Sequence, residues 1–508
     1  MRRRSFLRWG AAAGAAAVVT RHRGLLWASP FGDAPRDASS VMLPPNRRAR
    51  RVLEVFLYGG LSPWETLYFV RSYGKPTDPT YPRQQYYAFE ADNLQAAAAC
   101  GLPSGTAIGQ FFAKDELGAD VELGPFARRL WPRADILART RLVVQRHRLA
   151  PHEAAVPQAL TGRPVGQPSA AGLGSHVQRY FVDRDDGSRA APWSYVFATG
   201  GLSGDNVSAA ASTGSHPGGA RPLFIKIDNT KTFGRLLDRI TVAGAGSKDQ
   251  YDALMHAYVD AYAKRLTWKD GAPVRSSRFA DLSVASNTVA KNSAIRSVLE
   301  DKLFVDRSGT ACGQTNPRDI PSMSFNAARA LLTHPTQPAR YVCVSDTGLY
   351  EASGGGGYDT HTRNAIDTAR NFDNMLTALL DIINKPGETD PTKLSLDDTF
   401  IIFNTEFGRT PMPQSLGSDG RNHFPYGYTT MFIGGPITSA EKGVFGAIGP
   451  DGKAGMAATP AENRIAALLA LGIWPFSPEA FAVSDVTAAT SELGAAALVT
   501  KRILGVSL

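Results

Sequence analysis

Cysteine is scarce in this 508-residue sequence: Cys100, Cys312 and Cys343 are the only three. None forms a CxxC pair or a zinc-knuckle spacing, which excludes a dithiol redox motif and a cysteine-built zinc module. Three thiols allow one bridge with one left over. Cys343, inside an apolar run, reads as a small buried hydrophobe. Long apolar runs are also missing. Beyond the N-terminal stretch no eighteen consecutive apolar residues occur, so no second membrane segment is expected. A nucleic-acid footprint is absent too. The formal charge of +9 is concentrated at the start: the first thirty residues hold six arginines and no acid. The remainder carries 49 basic and 46 acidic residues, a net of about +3, with no basic stripe interleaved with aromatics. No GxSxG elbow, P-loop, HExxH or dinucleotide fingerprint stands in the chain, so the usual marker of a serine-triad hydrolase is lacking.

What is present begins at the N-terminus. Arg3-Arg4-Ser5-Phe6-Leu7-Arg8 precedes a short Ala/Gly/Val stretch from Gly10 to Val19. The stretch is about half the roughly twenty residues needed to span a bilayer core. A basic start and a short apolar region resemble a cleaved twin-arginine export signal, an address read by a receptor rather than a fold element. Ala28-Ser29-Pro30 is a candidate cleavage site. The expected location is therefore periplasmic or secreted. The expected partner during export is the twin-arginine translocase, with no stable membrane span after cleavage. Residues 1–30 read as the signal and 31–50 as a polar linker. A domain follows over 51–480, with a divergent region or insertion at 200–335, and 481–508 reads as a tail.

Apolar content of 43% supports a substantial core. Val52–Tyr58, Arg141–Arg146, Tyr341–Ser345 and Thr399–Asn404 read as strands. Thr362–Asn384 reads as an amphipathic helix with Ile366, Phe372, Met375, Leu376 and Leu379 on its stripe. Helices are also expected from Pro151 onward, within 247–305, and at Ala461–Leu471, while 200–220 reads as a loop. Strands alternating with helices argue for an α/β sandwich with a mostly parallel sheet. Ligands of such sheets bind beyond the carboxyl ends of the strands. Each strand is indeed followed by polar residues. Glu65 follows the first, His147, His152 and Glu153 the second, and Asp359 and His361 the third, after four glycines. Glu406 and Arg409 follow the fourth, with His423 further on.

A carboxylate and imidazoles converging on one point suit a divalent ion. Plainer readings stand beside that one. Asp359 could cap the following helix, and Glu406 could pair with Arg409. His152 and Glu153 could simply open a helix, and His423 could be a surface histidine. Arg409 could equally hold an anionic substrate group by a bidentate contact.

Several of these runs resemble a known family. They are Gly59-Gly60-Leu61-Ser62 before Glu65, Ala150-Pro151-His152-Glu153, Leu160-Thr161-Gly162-Arg163, Gly357-Tyr358-Asp359-Thr360-His361, Thr405-Glu406-Phe407-Gly408-Arg409-Thr410-Pro411 and Gly420-Arg421-Asn422-His423-Phe424. Together they look like the domain of unknown function 1501 family, itself similar to the alkaline phosphatase and sulfatase superfamily. The resemblance implies a three-layer α/β/α sandwich. It also implies one or two divalent ions (Zn, Mn or Ca) on Glu65, Asp359, His361, Glu406 and His423. It departs from the superfamily where a nucleophilic hydroxyl is expected, because Pro151, His152 and Glu153 stand there. His152 is then a nucleophile or a further ligand, and Phe407 stands where phosphatases often supply a histidine. Arg163 or Arg409 would hold the anion. The function implied is hydrolysis of phosphate or sulfate esters, on a small-molecule or glycan substrate. The alternatives are a non-catalytic exported binding or structural protein, or another metal-dependent enzyme on the same scaffold.

Overall fold

The computed structural model describes residues 31–101, 108–167, 170–184, 194–198, 221–226, scattered positions between 250 and 261, 320–348, 357–478 and 480–508. The export motif, the 200–220 loop, the expected helical stretch within 247–305, Cys312 and Gly354–Gly356 lie outside these residues, or almost wholly so.

Eight strands form the central sheet: β1 (Arg51–Leu57), β2 (Thr140–Gln145), β3 (Ser194–Ala198), β4 (Leu223–Lys226), β5 (Tyr341–Asp346), β6 (Thr399–Asn404), β7 (Tyr428–Gly434) and β8 (Gly443–Phe445). Their order is β8-β2-β7-β6-β1-β5-β3-β4. Every pairing is parallel except the two made by β7. β1 sits in the middle, with Val52–Leu57 in register with Tyr341–Asp346 on one side and Arg51–Phe56 with Thr399–Asn404 on the other. β5, β6 and β7 are buried along their whole length and β1 from Val52 onward, which is why β6 reads as the nearly continuous apolar run Thr-Phe-Ile-Ile-Phe-Asn.

Helices cover both faces. On one face, α1 (Glu90–Ala99), α4 (Ile320–Leu332) and α5 (Asn364–Asp381) pack against Leu53, Val55, Val342, Val344, Ile401 and Phe403. On the other, α2 (His152–Thr161), α3 (Leu173–Arg184), α6 (Pro460–Ala470) and α7 (Glu492–Val499) pack against Val52, Phe56, Cys343, Phe400 and Ile402. The alternation of β1 is thus split between two cores, as a three-layer α/β arrangement requires. The expected helical stripe is real: Phe372, Met375, Leu376 and Leu379 are buried on α5, with Ile366 half-buried at its edge. Cys343 is a buried free thiol and Cys100 is disulfide-bonded.

Two segments read as peripheral are packed instead. Phe31, Ala38, Met42, Leu43 and Ala49, from the expected linker, are buried in the second core. So are Ala495, Ala496, Val499, Ile503 and Leu504 from the expected tail. Among the described residues no helix is long and apolar enough to cross a membrane.

One buried ion pair ties β1 to the helices above it. Glu54 in mid-strand accepts from Arg464 of α6 at 2.6 Å, from Tyr341 at 2.6 Å and from Asn404 at 2.9 Å. The Asn404 amide also donates to Ala159 O of α2 at 3.2 Å, so the helix that opens with His152 is anchored from its far end. Removing one partner of a buried pair strands the other charge. Glu54→Ala is expected to destabilise the fold by about 3–5 kcal/mol, while Glu54→Leu combined with Arg464→Met recovers most of that loss. Denaturant unfolding of the two variants beside the parent tests this, and equal midpoints for the single variant and the parent would refute it.

Candidate metal centre

The carboxyl ends of β1, β2, β5 and β6 lie on one edge of the sheet, and the loops leaving them meet there. β1 runs into Gly59 (φ +109°) and Gly60 (φ +93°). A Cβ on Gly59 would overlap the backbone nitrogen of Asp359, so only glycine lets this turn lie against the loop after β5. Tyr358 N donates to Tyr58 O at 3.1 Å across the same contact. On its other side the Asp359–His361 loop is clasped by Gly420 and Arg421. A Cβ on Gly420 would overlap the His361 carbonyl, and Arg421 N donates to Thr360 O at 2.9 Å.

Asp359 stands at the centre of three histidines. Its Oδ1 lies 3.1 Å from His361 Nε2 and 3.3 Å from His423 Nε2, and these two nitrogens are 3.0 Å apart. Its Oδ2 lies 3.4 Å from His152 Nε2, a nitrogen with no hydrogen-bond partner. Ligand atoms of His152, Asp359 and His423 all fall within 4.8 Å of one another.

The other nitrogen of each ring explains the orientation. His152 Nδ1 faces the Glu406 carboxylate at 2.9 Å, His423 Nδ1 faces Ala150 O at 2.8 Å, and His361 Nδ1 faces Gln414 Oε1 at 2.6 Å. A carboxylate and a carbonyl only accept, so Nδ1 carries a proton and Nε2, turned toward Asp359, is the nitrogen that an ion would take once any proton on it is displaced. Histidines that bind metals are oriented in this way by outer partners. The triangle formed by Asp359 Oδ1, His361 and His423 also has the right size. Ligands about 2.0–2.1 Å from a tetrahedral ion lie roughly 3.3 Å apart. The residues present therefore fit a divalent ion.

Aromatic rings hold the cluster from behind. Tyr58 stacks on His152 with centroids 5.2 Å apart, and Phe407 packs against His423 at 4.5 Å and His152 at 5.0 Å. Burial works against a charge on His152, but Asp359 and Glu406 together outweigh it and push its pKa up to about 9. Burial likewise opposes the Asp359 anion, yet His152, His361, His423 and Arg409 hold it far below the usual carboxylate range. His423 is lowered by burial, reinforced by the Arg409 and His152 charges and opposed by Asp359.

The remaining expected residues take other places. Glu406 is fully buried and does not aim at the cluster's centre. It accepts from Gly59 N at 2.7 Å and orients His152. Glu65 is engaged elsewhere, in a buried ion pair with Arg421 at 2.6 Å, with Ser62 also donating to it. Arg409 is fully buried, with its donors turned to Gly59 O, Gly60 O, Arg421 O and Asp359. The expectation that it offers a fork to a substrate anion is therefore corrected, because no face of the guanidinium is open. Arg163 is corrected similarly: it pairs with Asp485 at 2.8 Å, donates to Ala480 O and lies over the Phe481 ring. The nearby hydroxyls are also committed, Thr405 to Leu57 O and Thr360 to Asn364.

Sequence reasoning named Arg421 only inside the Gly420–Phe424 run and gave it no role. It noted His147 only as a polar residue after β2, yet that ring proves to be buried against Glu406 O.

Fold and site together define a three-layer α/β protein with a histidine–carboxylate cluster at the carboxyl edge of its sheet. Residues 292–457 match the model of a family described as Protein of unknown function (DUF1501). That stretch holds Asp359, His361, Glu406, Arg409 and His423, while Glu65, His147 and His152 precede it. No curated protein and no solved structure matches the chain.

The loop packing yields a test. Gly59→Ala forces a Cβ into backbone at a positive φ and is expected to cost at least about 1–3 kcal/mol. At Gly60 the added Cβ would meet the edge of the Phe407 ring at 2.7 Å, a side chain able to shift. Gly60→Ala should therefore cost less. Thermal unfolding of both variants checks the ranking, which a more harmful Gly60→Ala would reverse.

Proposed function

We propose that the protein is an exported, metal-dependent hydrolase of phosphate or sulfate esters, with one divalent ion on His152, Asp359, His361 and His423. The observation that carries this reading is the shared orientation of the three imidazoles. Each spends Nδ1 on an acceptor and turns Nε2 toward one carboxylate. Three nitrogen donors and one oxygen favour Zn or Mn over Ca, which takes oxygen ligands. An ion bound there supplies Lewis acidity, polarising an ester oxygen and making water a nucleophile at neutral pH.

The chain's own residues supply the remainder. His152 is one of the residues standing where the superfamily's nucleophile is expected, but its Nδ1 is held by Glu406 and its Nε2 faces Asp359 at 3.4 Å, which suits a ligand better than an attacking group. With Thr405 and Thr360 committed inside the fold, hydrolysis would proceed by direct attack of water rather than through a covalent ester. Because His152 carries a proton when no ion is bound, loading the site must displace it. Arg148, exposed in the turn between β2 and α2 four residues before His152, is the candidate for the anionic part of a substrate, since Arg163 and Arg409 are otherwise engaged. A non-catalytic binding protein is the second reading, favoured by those same occupied arginines and hydroxyls.

Elemental analysis of protein purified without chelators is the decisive measurement. About one equivalent of Zn or Mn is expected, lost in Asp359→Ala and His423→Ala, with activity on aryl phosphates or sulfates abolished by chelation and restored by the metal. Metal without turnover would select the binding protein, and no metal with equally stable variants would remove the hydrolase. If esters are turned over, Arg148→Ala should raise KM roughly tenfold or more while leaving metal content unchanged, and an unaltered KM would remove Arg148 from the site.

A further inference from the structure

His147 is buried and makes no hydrogen bond to any of the four members of the cluster, yet it reaches the supports of two of them. Its Nε2 lies 2.6 Å from Glu406 O, and its Nδ1 accepts from Leu149 N at 3.0 Å. A carbonyl cannot donate and an N–H cannot accept, so both bonds form only when the ring is neutral with its proton on Nε2. The backbone of His147 is held as well, its N–H donating to Pro425 O at 2.9 Å, and Tyr428 meets the ring edge-on at 5.5 Å.

The two ring bonds lead to different ligands. Glu406, whose backbone oxygen the ring grips, carries the carboxylate that orients His152. Leu149 is followed by Ala150, whose carbonyl orients His423. Pro425, on the third arm, lies two residues beyond His423.

Resting on the metal reading above, the geometry points to His147 as a positioning residue that sets His152 and His423 in register from one buried ring. It binds no ion itself. A histidine suits the task because its two ring nitrogens offer one donor and one acceptor on a rigid frame. Asparagine reproduces the acceptor near Nδ1 but falls short of Glu406 O. Glutamine carries an amide N–H to the place of Nε2 but leaves Leu149 N without its acceptor. Each replacement therefore cuts one arm.

The test is titration of cobalt(II) into metal-free full-length protein, comparing the parent with His147→Asn and His147→Gln. Cobalt affinity is expected to fall about 10- to 100-fold in each variant, as for lost outer-shell partners. The visible cobalt bands should change shape, a signature that simple loss of stability would not move. Parent-like affinity and spectrum in both variants would overturn the positioning role while leaving the metal reading intact. A parent that binds no cobalt would overturn the metal reading itself. Should the variants fail to fold, nitrogen NMR of histidine-labelled parent decides: a His147 proton on Nε2 supports the assignment, and one on Nδ1 refutes it.

Discussion

The buried guanidinium of Arg409 is the interaction on which the site depends. It collects the carbonyls of Gly59 and Gly60 from the end of β1, the carbonyl of Arg421 from the loop before β7, and the carboxylate of Asp359 from the loop after β5. Three loops that are remote in sequence are thereby fixed around one planar, permanently charged group. Its burial is tolerable because every nitrogen is satisfied and its charge faces an anion. A lysine would bring the charge but not the fork. The same arrangement explains the paired glycines after β1. Their carbonyls must face Arg409 while their α-carbons press against Asp359 and Phe407, and side chains would block both approaches.

Charge balance then decides what each acid does. Asp359 faces Arg409 and three imidazoles, so it remains ionised and is the natural partner of a cation. Glu406 faces a backbone N–H and one imidazole N–H, so it serves as the outer member of a carboxylate–histidine pair. Glu65 faces Arg421, which lies fully buried over the Phe89 ring with its centre 4.7 Å away, so its charge is already answered. Arg421 also bonds Gln85 O at 2.6 Å and Thr410 O at 2.7 Å. Glu65 and Arg421 thus form a buried prop for the loop that carries His423. The three acids follow three strands on the same edge, and the cation opposite each one separates their roles.

Those strand ends were legible in the sequence because β1, β5 and β6 are buried on both faces and announce themselves as apolar runs followed by glycine or acid. The α5 stripe was legible for the same reason, its period surviving in Phe372, Met375, Leu376 and Leu379. β7 was not read, since Thr429 and Thr430 interrupt its apolar pattern although both are buried. The small hairpin Gln110–Lys114 with Asp120–Leu123 and the helix α1 were hidden in a stretch whose Gly, Pro and Tyr content masks any period. At the site, sequence could nominate Asp359, His361 and His423 but could not separate ligand from support. That distinction rests on which nitrogen of each ring meets an acceptor, and the acceptors Ala150 O and Gln414 Oε1 carry no sequence signal. His147 and Arg421 were missed as supports for a related reason: their partners are mostly backbone groups.

The exposures within the cluster give it a direction. Tyr58 and Phe407 cover the His152 side, and the His152 and His423 side chains keep 15% and 17% of their surface, whereas His361 keeps 31%. Approach to the cluster is therefore easiest past His361. The loop that supports His361 through Gln414 also displays Met412 and the fully exposed Leu416. Since Gln414 fixes His361 Nδ1, the loop that carries these exposed side chains also sets the most open member of the cluster.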